Sequence, residues 1–285
     1  MKQARIHLGP VYVHLIITAS DSPSAPPILH RKIALHLLRS EYRRDPDDPN
    51  GFTAVEQTLA DFLVIAEKHQ ADPPRITAAA DLADSGILIL LRLFLKKLGL
   101  PPIEILSFSA EFDQLRSQIT DLPPEYLAVL AGEARLRFIR VGHSQPEFTV
   151  TLPCGIIPLT HDFLKNDPPE PAETIALRDH LSAEFDRLQW HRLPENILSF
   201  SDAGLALARL IGGTSATCDS ILTKDQLQII LPELSHNYKN QIARCPSADP
   251  DFSDYFLTTA LLYEHLLDYL GREQVKIYSQ SIVTQ

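Results

Sequence analysis

The eleven histidines and three cysteines are the side chains best suited to metal or nucleophilic chemistry, and their spacing speaks against both. No histidine pair has the His-Glu-x-x-His pattern that sets two imidazoles and a general base on one helical face. His161 beside Asp162, His180, and His265 near Asp268 read as helix-surface residues, and the widely separated Cys154, Cys218 and Cys245 as buried thiols. His7 and His14 flank a turn, where they would either donate as cations at low pH or simply end two strands. Glu111 stands in Ser107-Phe108-Ser109-Ala110-Glu111-Phe112, at the start of a helical pattern where the macrodipole favours a carboxylate. Its two phenylalanine neighbours would raise its affinity for a proton without helping to bind a polyanion. Phosphate-cradling loops need glycine for close backbone approach, yet only eleven glycines occur in 285 residues, below the usual ~7%. Gly212-Gly213-Thr214-Ser215 follows a helix instead of opening one, so its amides lie at the wrong end of the dipole. There is no Walker loop and no Gly-x-Ser-x-Gly elbow.

The elements that would position these residues fall into two series. Ala4 to Leu8, Val11 to Thr18 and Ile28 to Leu38 read as a three-stranded antiparallel meander. A second meander begins at Tyr126 to Leu130, turns at Ala131-Gly132-Glu133, and has its next polar tip at Gly142 to Pro146. After the first come a helix over Phe52 to His69, a strand Arg75 to Ala79, and a helix from about Asp84 to Leu98 stopped by Gly99 and Pro101-Pro102. A strand at Ile103 to Leu106 and a helix over Ser109 to Ile119 complete that series. The second series continues through a helix with Ile175, Leu181, Phe185 and Leu188 facing inward, a strand Asn196 to Phe200, and a helix Asp202 to Ile211. Thr223 and Gln226 then form a capping box, Ser253 to Leu270 a long amphipathic helix ending at Gly271, and Val275 to Tyr278 a last strand. Alternation of strand and helix after each meander predicts parallel strands added to its sheet.

Composition sets the outer bounds. Hydrophobic residues at 45% and charged residues at 22% are ordinary for a chain able to bury one large or two medium cores. With 26 Lys+Arg against 36 Asp+Glu, the net charge of −10 argues against wide contact with nucleic acid or an anionic membrane. The pairs Arg43-Arg44 and Lys96-Lys97 read as solvated helix ends. No charged and apolar leader opens the sequence, and the apolar run Ile87 to Leu91 is far short of the ~20 residues that span a bilayer, so a cytoplasmic location is expected.

Several phrases resemble one family. Thr151-Leu152-Pro153-Cys154-Gly155-Ile156-Ile157-Pro158-Leu159-Thr160, Ile105-Leu106-Ser107, and the stretch Asp254 to Gly271 are similar to scaffold segments of the exopolyphosphatase and guanosine pentaphosphate phosphohydrolase (Ppx/GppA) family, in the actin-like ATPase superfamily. The resemblance covers nearly the whole chain and implies an α/β, two-lobed actin-like (ribonuclease H-like) fold, a duplicated mixed sheet with helices. It places an N-terminal lobe at residues 1–123, a C-terminal lobe at 124–285, and a ligand cleft between them.

The family's phosphate loops are another matter. Its first loop, Asp-apolar-Gly-Ser-Asn-Ser followed by Arg, falls on His7-Leu8-Gly9-Pro10-Val11-Tyr12 and His14, where only Gly9 remains and Pro10 has no N–H to donate. Its Asp-Ile-Gly-Gly-Gly-Ser-Thr-Glu falls on Val129 to Leu136, which loses the metal-side carboxylate, keeps Gly132 and adds Glu133. Its Thr-Ser-Ala-Leu-Arg falls on Ala78 to Leu82, and its Gly-Thr-Gly-Gly-Thr near Phe200 to Leu205, where Gly204 remains. The family's water-activating glutamate is kept as Glu111. The resemblance therefore implies a catalytically degenerate Ppx/GppA-like protein acting as a binding or regulatory module, without a resident metal. Its partner would be another protein, a second copy, or a nucleotide or polyphosphate ligand. The alternative is residual hydrolysis of polyphosphate or guanosine pentaphosphate with magnesium, using Glu111 as base. The cleft is expected to be lined by Pro10, Val11, Tyr12, Leu82, Phe108, Val129, Ala131 and Glu133, mostly apolar and one acidic.

Overall fold

The computed structural model describes residues 2–19, 27–38, 52–117, 119, 121–143, 145–188, 194–213 and 219–279. Arg43, Arg44, Cys218, Thr214 and Ser215 lie outside the described residues. The chain divides into two compact units, one reaching residue 120 and one starting at 121.

The first unit opens with β1 (Gln3–Leu8), β2 (Tyr12–Thr18) and β3 (Pro27–Ala34), an antiparallel meander. Its third strand stops at Ala34, short of the expected Leu38, because the Leu35 and His36 amides both turn back to Val11 O. There follow α1 (Thr53–Lys68), β4 (Arg75–Ala78), a 3₁₀ turn at Ala80–Leu82, α2 (Gly86–Lys97), β5 (Glu104–Ile105) and α3 (Phe108–Ser117). The sheet order is β3-β2-β1-β4-β5, with β4 parallel to β1 and β5 parallel to β4. Helix α2 ends where the Leu100 amide reaches Leu95 O and the Gly99 amide reaches Lys96 O, with Gly99 at φ +70°. That reversal needs a left-handed residue, which glycine supplies without a steric penalty.

The second unit repeats the plan. β6 (Tyr126–Ala131), β7 (Leu136–Gly142) and β8 (Gln145–Leu152) form its meander. Next come α4 (Ile156–Phe163), α5 (Pro171–Asp186), β9 (Ile197–Phe200), α6 (Asp202–Gly212), β10 (Asp219–Thr223), α7 (Lys224–His236), α8 (Lys239–Ile242), α9 (Phe256–Leu270) and β11 (Gln274–Tyr278). The order β8-β7-β6-β9-β11-β10 matches the first unit through its first four strands, so β1 and β6 are equivalent central strands. Every residue of β6 is buried, as expected of a strand covered on both faces. The turns are equivalent too: the last strand pairs are Leu8 with Val13 and Ala131 with Leu136, each closing a four-residue connection.

Three expectations change in three dimensions. Ile175 is 57% exposed, and the inward face of α5 is carried by Leu177, Leu181 and Phe185. The final helix is amphipathic only in its last turns: residues 250–255 form a 3₁₀ turn, and α9 is buried at every position from Phe256 to Tyr263 because α5, α6 and α7 pack around it, while Asp268 is exposed. Cys154 is buried as expected, whereas Cys245 is exposed. Helix α4 and the edge strand β10 are not announced by periodicity; each is short, and β10 buries only Leu222.

Candidate functional site

In each unit the residues singled out from the sequence gather at the carboxyl ends of the central parallel strands, the place where open α/β sheets receive ligands. In the first unit the Ala79 amide donates to Leu8 O at 2.9 Å and the Leu106 amide to Ala78 O at 2.9 Å, tying together the ends of β1, β4 and β5. Glu111 lies in the first turn of α3 and is buried. Its Oε1 accepts the Ala80 amide at 2.7 Å, across 31 residues of chain. The carboxylate thus ties α3 to the segment where the resemblance places a phosphate contact, and one of its oxygens is occupied by backbone. Ser107, the residue before α3, accepts the Ala110 amide at 3.2 Å and holds the helix start in place.

The three glycines are equally committed. Gly9 donates its amide to Tyr12 O at 2.8 Å, Gly132 to Arg135 O at 3.1 Å, and Gly204 to Ser201 Oγ at 3.0 Å. The first two bonds close the hairpin turns, and the third caps α6. An amide spent on an internal acceptor is not available to a phosphate oxygen. The second-unit turn is also fastened from behind: the Ile156 amide donates to Gly132 O at 3.2 Å and the Ile157 amide to Glu133 O at 2.9 Å. Thus the first amides of α4 are satisfied by backbone carbonyls. Gly155 permits this approach, since a β-carbon there would lie 2.1 Å from Ala134 C and 2.4 Å from Glu133 O.

Gly204 packs beneath Tyr263, whose Oη would lie 2.5 Å from an added β-carbon. The Tyr263 hydroxyl bonds Ser199 Oγ at 2.6 Å, and burial pushes its pKa up to about 12. Sequence reasoning missed Gly155, Ser201 and Tyr263 as determinants of these turns. A serine just before a helical run is a legible cap signal, but nothing local marks a tyrosine 59 residues on, at position 263, as the partner of Gly204.

His7 and His14 are cross-strand partners in the first meander. His7 Nδ1 lies 3.0 Å from Thr77 Oγ1, and burial lowers its pKa to about 4, so the ring is neutral at pH 7. His14 is buried, stacks on His30, and places Nδ1 3.0 Å from His30 Nε2. Burial, with Lys32 nearby, lowers the His30 pKa as well. His7 thus links β1 to β4 and the His14–His30 pair links β2 to β3, while the His7 and His14 rings lie 6.3 Å apart, centroid to centroid.

Of the eight residues expected to line a cleft, Val11, Tyr12, Leu82, Val129, Ala131 and Glu133 are buried, and Pro10 and Phe108 are half-buried. The residues do not fit magnesium. The position to which the resemblance assigns a metal-side carboxylate is Val129, 0% exposed and paired with Phe138 and Ser199 in the sheet. No group of three or more His, Cys, Asp or Glu that could hold a metal occurs among the described residues. No described helix is long and apolar enough to cross a membrane.

A duplicated mixed sheet with helices, carrying a hairpin turn and a helix start at the strand ends of each unit, defines the two-lobed actin-like ATPase fold. Within that class the chain has the fold of Ppx/GppA proteins. It is similar to an exopolyphosphatase from Cytophaga hutchinsonii (TM-score 0.79, 16% identity, 100% of this chain and 96% of that one). It is also similar to an exopolyphosphatase-like protein (TM-score 0.81, 14% identity, 99% and 95% covered). The third likeness is to the Aquifex aeolicus PPX-GPPA enzyme (TM-score 0.74, 17% identity, 99% and 97% covered). No protein-family model and no curated protein sequence matches the chain.

Proposed function

We propose that this chain is a catalytically degenerate protein of the Ppx/GppA fold, serving in the cytoplasm as a binding or regulatory module. The observation that carries this reading is the internal use of all three candidate phosphate-binding amides, at Gly9, Gly132 and Gly204. The altered side chains at four loops point the same way, with Val129 in place of a carboxylate and Ala78 to Leu82 without hydroxyls or arginine. A polyanion is drawn from water only where charge-assisted donors or a metal offset its desolvation. Here the turns offer buried apolar side chains and the buried Glu133.

The second reading, residual phosphoanhydride hydrolysis, is favoured by one observation: Glu111 remains at the strand ends that also carry the Gly9 hairpin. Phosphate release from polyphosphate and guanosine pentaphosphate with magnesium, measured against Glu111→Gln, separates the two. Glutamine keeps an oxygen for the Ala80 amide and so preserves the fold while removing the base. One lost charge-stabilising contact costs on the order of a hundredfold in rate, so with four loops altered the expected release equals that of the Glu111→Gln control. Turnover above it sinks the degenerate reading. Calorimetry with polyphosphate, guanosine tetraphosphate and pentaphosphate, and ATP, each with and without magnesium, then tests for a retained small ligand.

A further inference from the structure

The outward face of α2 takes no part in the strand-end turns. Ile89 and Leu93, one helical turn apart, are each 61% exposed. Arg92, Lys96 and Lys97 are exposed beside them, and none of the three has an ion-pair partner among the described residues. Residues 85–103 contain these three cations and no acidic side chain, in a chain of net charge −10. Lys96 and Lys97 also complement the carboxyl end of the helix dipole, but Arg92, in mid-helix, has no such role. Beyond the helix the chain reverses at Gly99 and runs back through Pro101 and Pro102. A cavity of about 470 Å³ is left there, walled by Leu95, Leu100, Pro101, Ile103, Arg92 and Lys96.

We propose that this face and its cavity form the docking surface for an acidic amphipathic helix of a partner protein. The proposal deepens the reading of the chain as a binding module and rests on it for the occupant being a protein. Charge complementarity selects the occupant. A helix with an apolar stripe flanked by carboxylates covers Ile89 and Leu93, seats an apolar side chain in the cavity, and brings anions to Arg92, Lys96 and Lys97. A second copy meeting through the same face would oppose these cations with their own kind. An anionic bilayer would attract the face but repel a body of net charge −10, and a bilayer offers no single side chain to fill a concave site.

The test is fluorescence anisotropy of the full chain with a labelled helical peptide of about 15 residues, roughly four turns, bearing Leu at i, i+4 and i+7 and Glu on the flanking positions. A twin with Lys in place of Glu is the control. Leu93→Ala and the double variant Lys96→Glu with Lys97→Glu alter exposed positions, and circular-dichroism melts check that both remain folded. The expected result is saturable binding of the Glu peptide, weakening as salt rises, and reduced about tenfold by the charge reversal. Leu93→Ala should weaken it also, and the Lys peptide should not compete. Absence of saturable binding, equal binding of both peptides, or indifference to the variants overturns the proposal. So does a dimer in sedimentation that Leu93→Ala abolishes, which assigns the face to a second copy, or binding to phosphatidylglycerol vesicles lost in the same variants, which assigns it to a membrane. Phosphate release from polyphosphate would sink the degenerate reading while leaving the peptide result intact, so the two failures are distinguishable.

Discussion

Gly204→Ala separates a packing glycine from a phosphate-turn glycine. Gly204 is in the first turn of α6, where alanine is intrinsically favoured over glycine by up to ~1 kcal/mol. Against that gain, the new β-carbon would lie 2.5 Å from Tyr263 Oη, 2.9 Å from Cε2 and 3.0 Å from Cζ. Tyr263 is 0% exposed and its hydroxyl is held at 2.6 Å by Ser199, so the ring has little room to retreat. Forcing extra volume into such a site costs ~1–3 kcal/mol, and the upper half of that range applies here. The expected net loss is therefore ~1–2 kcal/mol, a melting point lower by ~2–4 °C per kcal/mol in a domain of this size. Tyr263→Phe removes the closest of the three contacts and the hydroxyl's buried hydrogen bonds with Ser199 and Ser201, costing ~1–2 kcal/mol on its own. In that background Gly204→Ala should cost less, leaving a favourable coupling of ~1 kcal/mol in a double-mutant cycle read by urea unfolding. Strict additivity, or a Gly204→Ala variant as stable as the parent, would refute the claim that the tyrosine hydroxyl sets the residue at this turn.

Two further outcomes follow from the same geometry. Gly155→Ala should destabilise by ~3 kcal/mol or more, because the obstacle at 2.1 Å is the backbone of Ala134 and the amide bonds of Ile156 and Ile157 to the Gly132 and Glu133 carbonyls must give way; a neutral effect in urea titrations would show that the turn is not fastened there. For His7 the folded pKa, lowered by burial to about 4, lies below the ordinary histidine value of 6.5, so its neutral form is the one the fold stabilises. That contribution is fully present above pH 6.5 and is lost as pH falls towards 4, since the unfolded chain then binds the extra proton. Between pH 7 and 5 the parent should therefore lose more stability than His7→Gln, and equal slopes would exclude His7 as the source.

What the sequence determined by itself is local. Glycine at positions 99 and 271 marks helix ends whose left-handed turns only glycine makes cheaply, and the Thr223–Gln226 capping box forms as its three-residue spacing requires. The two meanders are legible because short apolar, β-branched runs are bounded by turn residues, even though β2 and β6 are buried at every position. So is the apolar character of Pro10, Val11, Val129 and Ala131, since proline has no amide N–H and valine and alanine side chains carry no carboxylate or hydroxyl whatever the fold does. Tertiary structure decided where the remaining polar groups spend their hydrogen bonds. The Glu111 carboxylate accepts from Ala80, Gly204 lies under Tyr263, His14 stacks on His30, and Gly155 admits the β6–β7 turn. Each of these partners is separated from its residue by 16 to 59 positions of chain, and no local propensity specifies such a pairing. The same reason explains Ile175 and α9. Periodicity marks which residues share a face, but only the packing of α5, α6 and α7 around α9 determines that residues 256 to 263 are covered on all sides and that α5 leaves Ile175 in water.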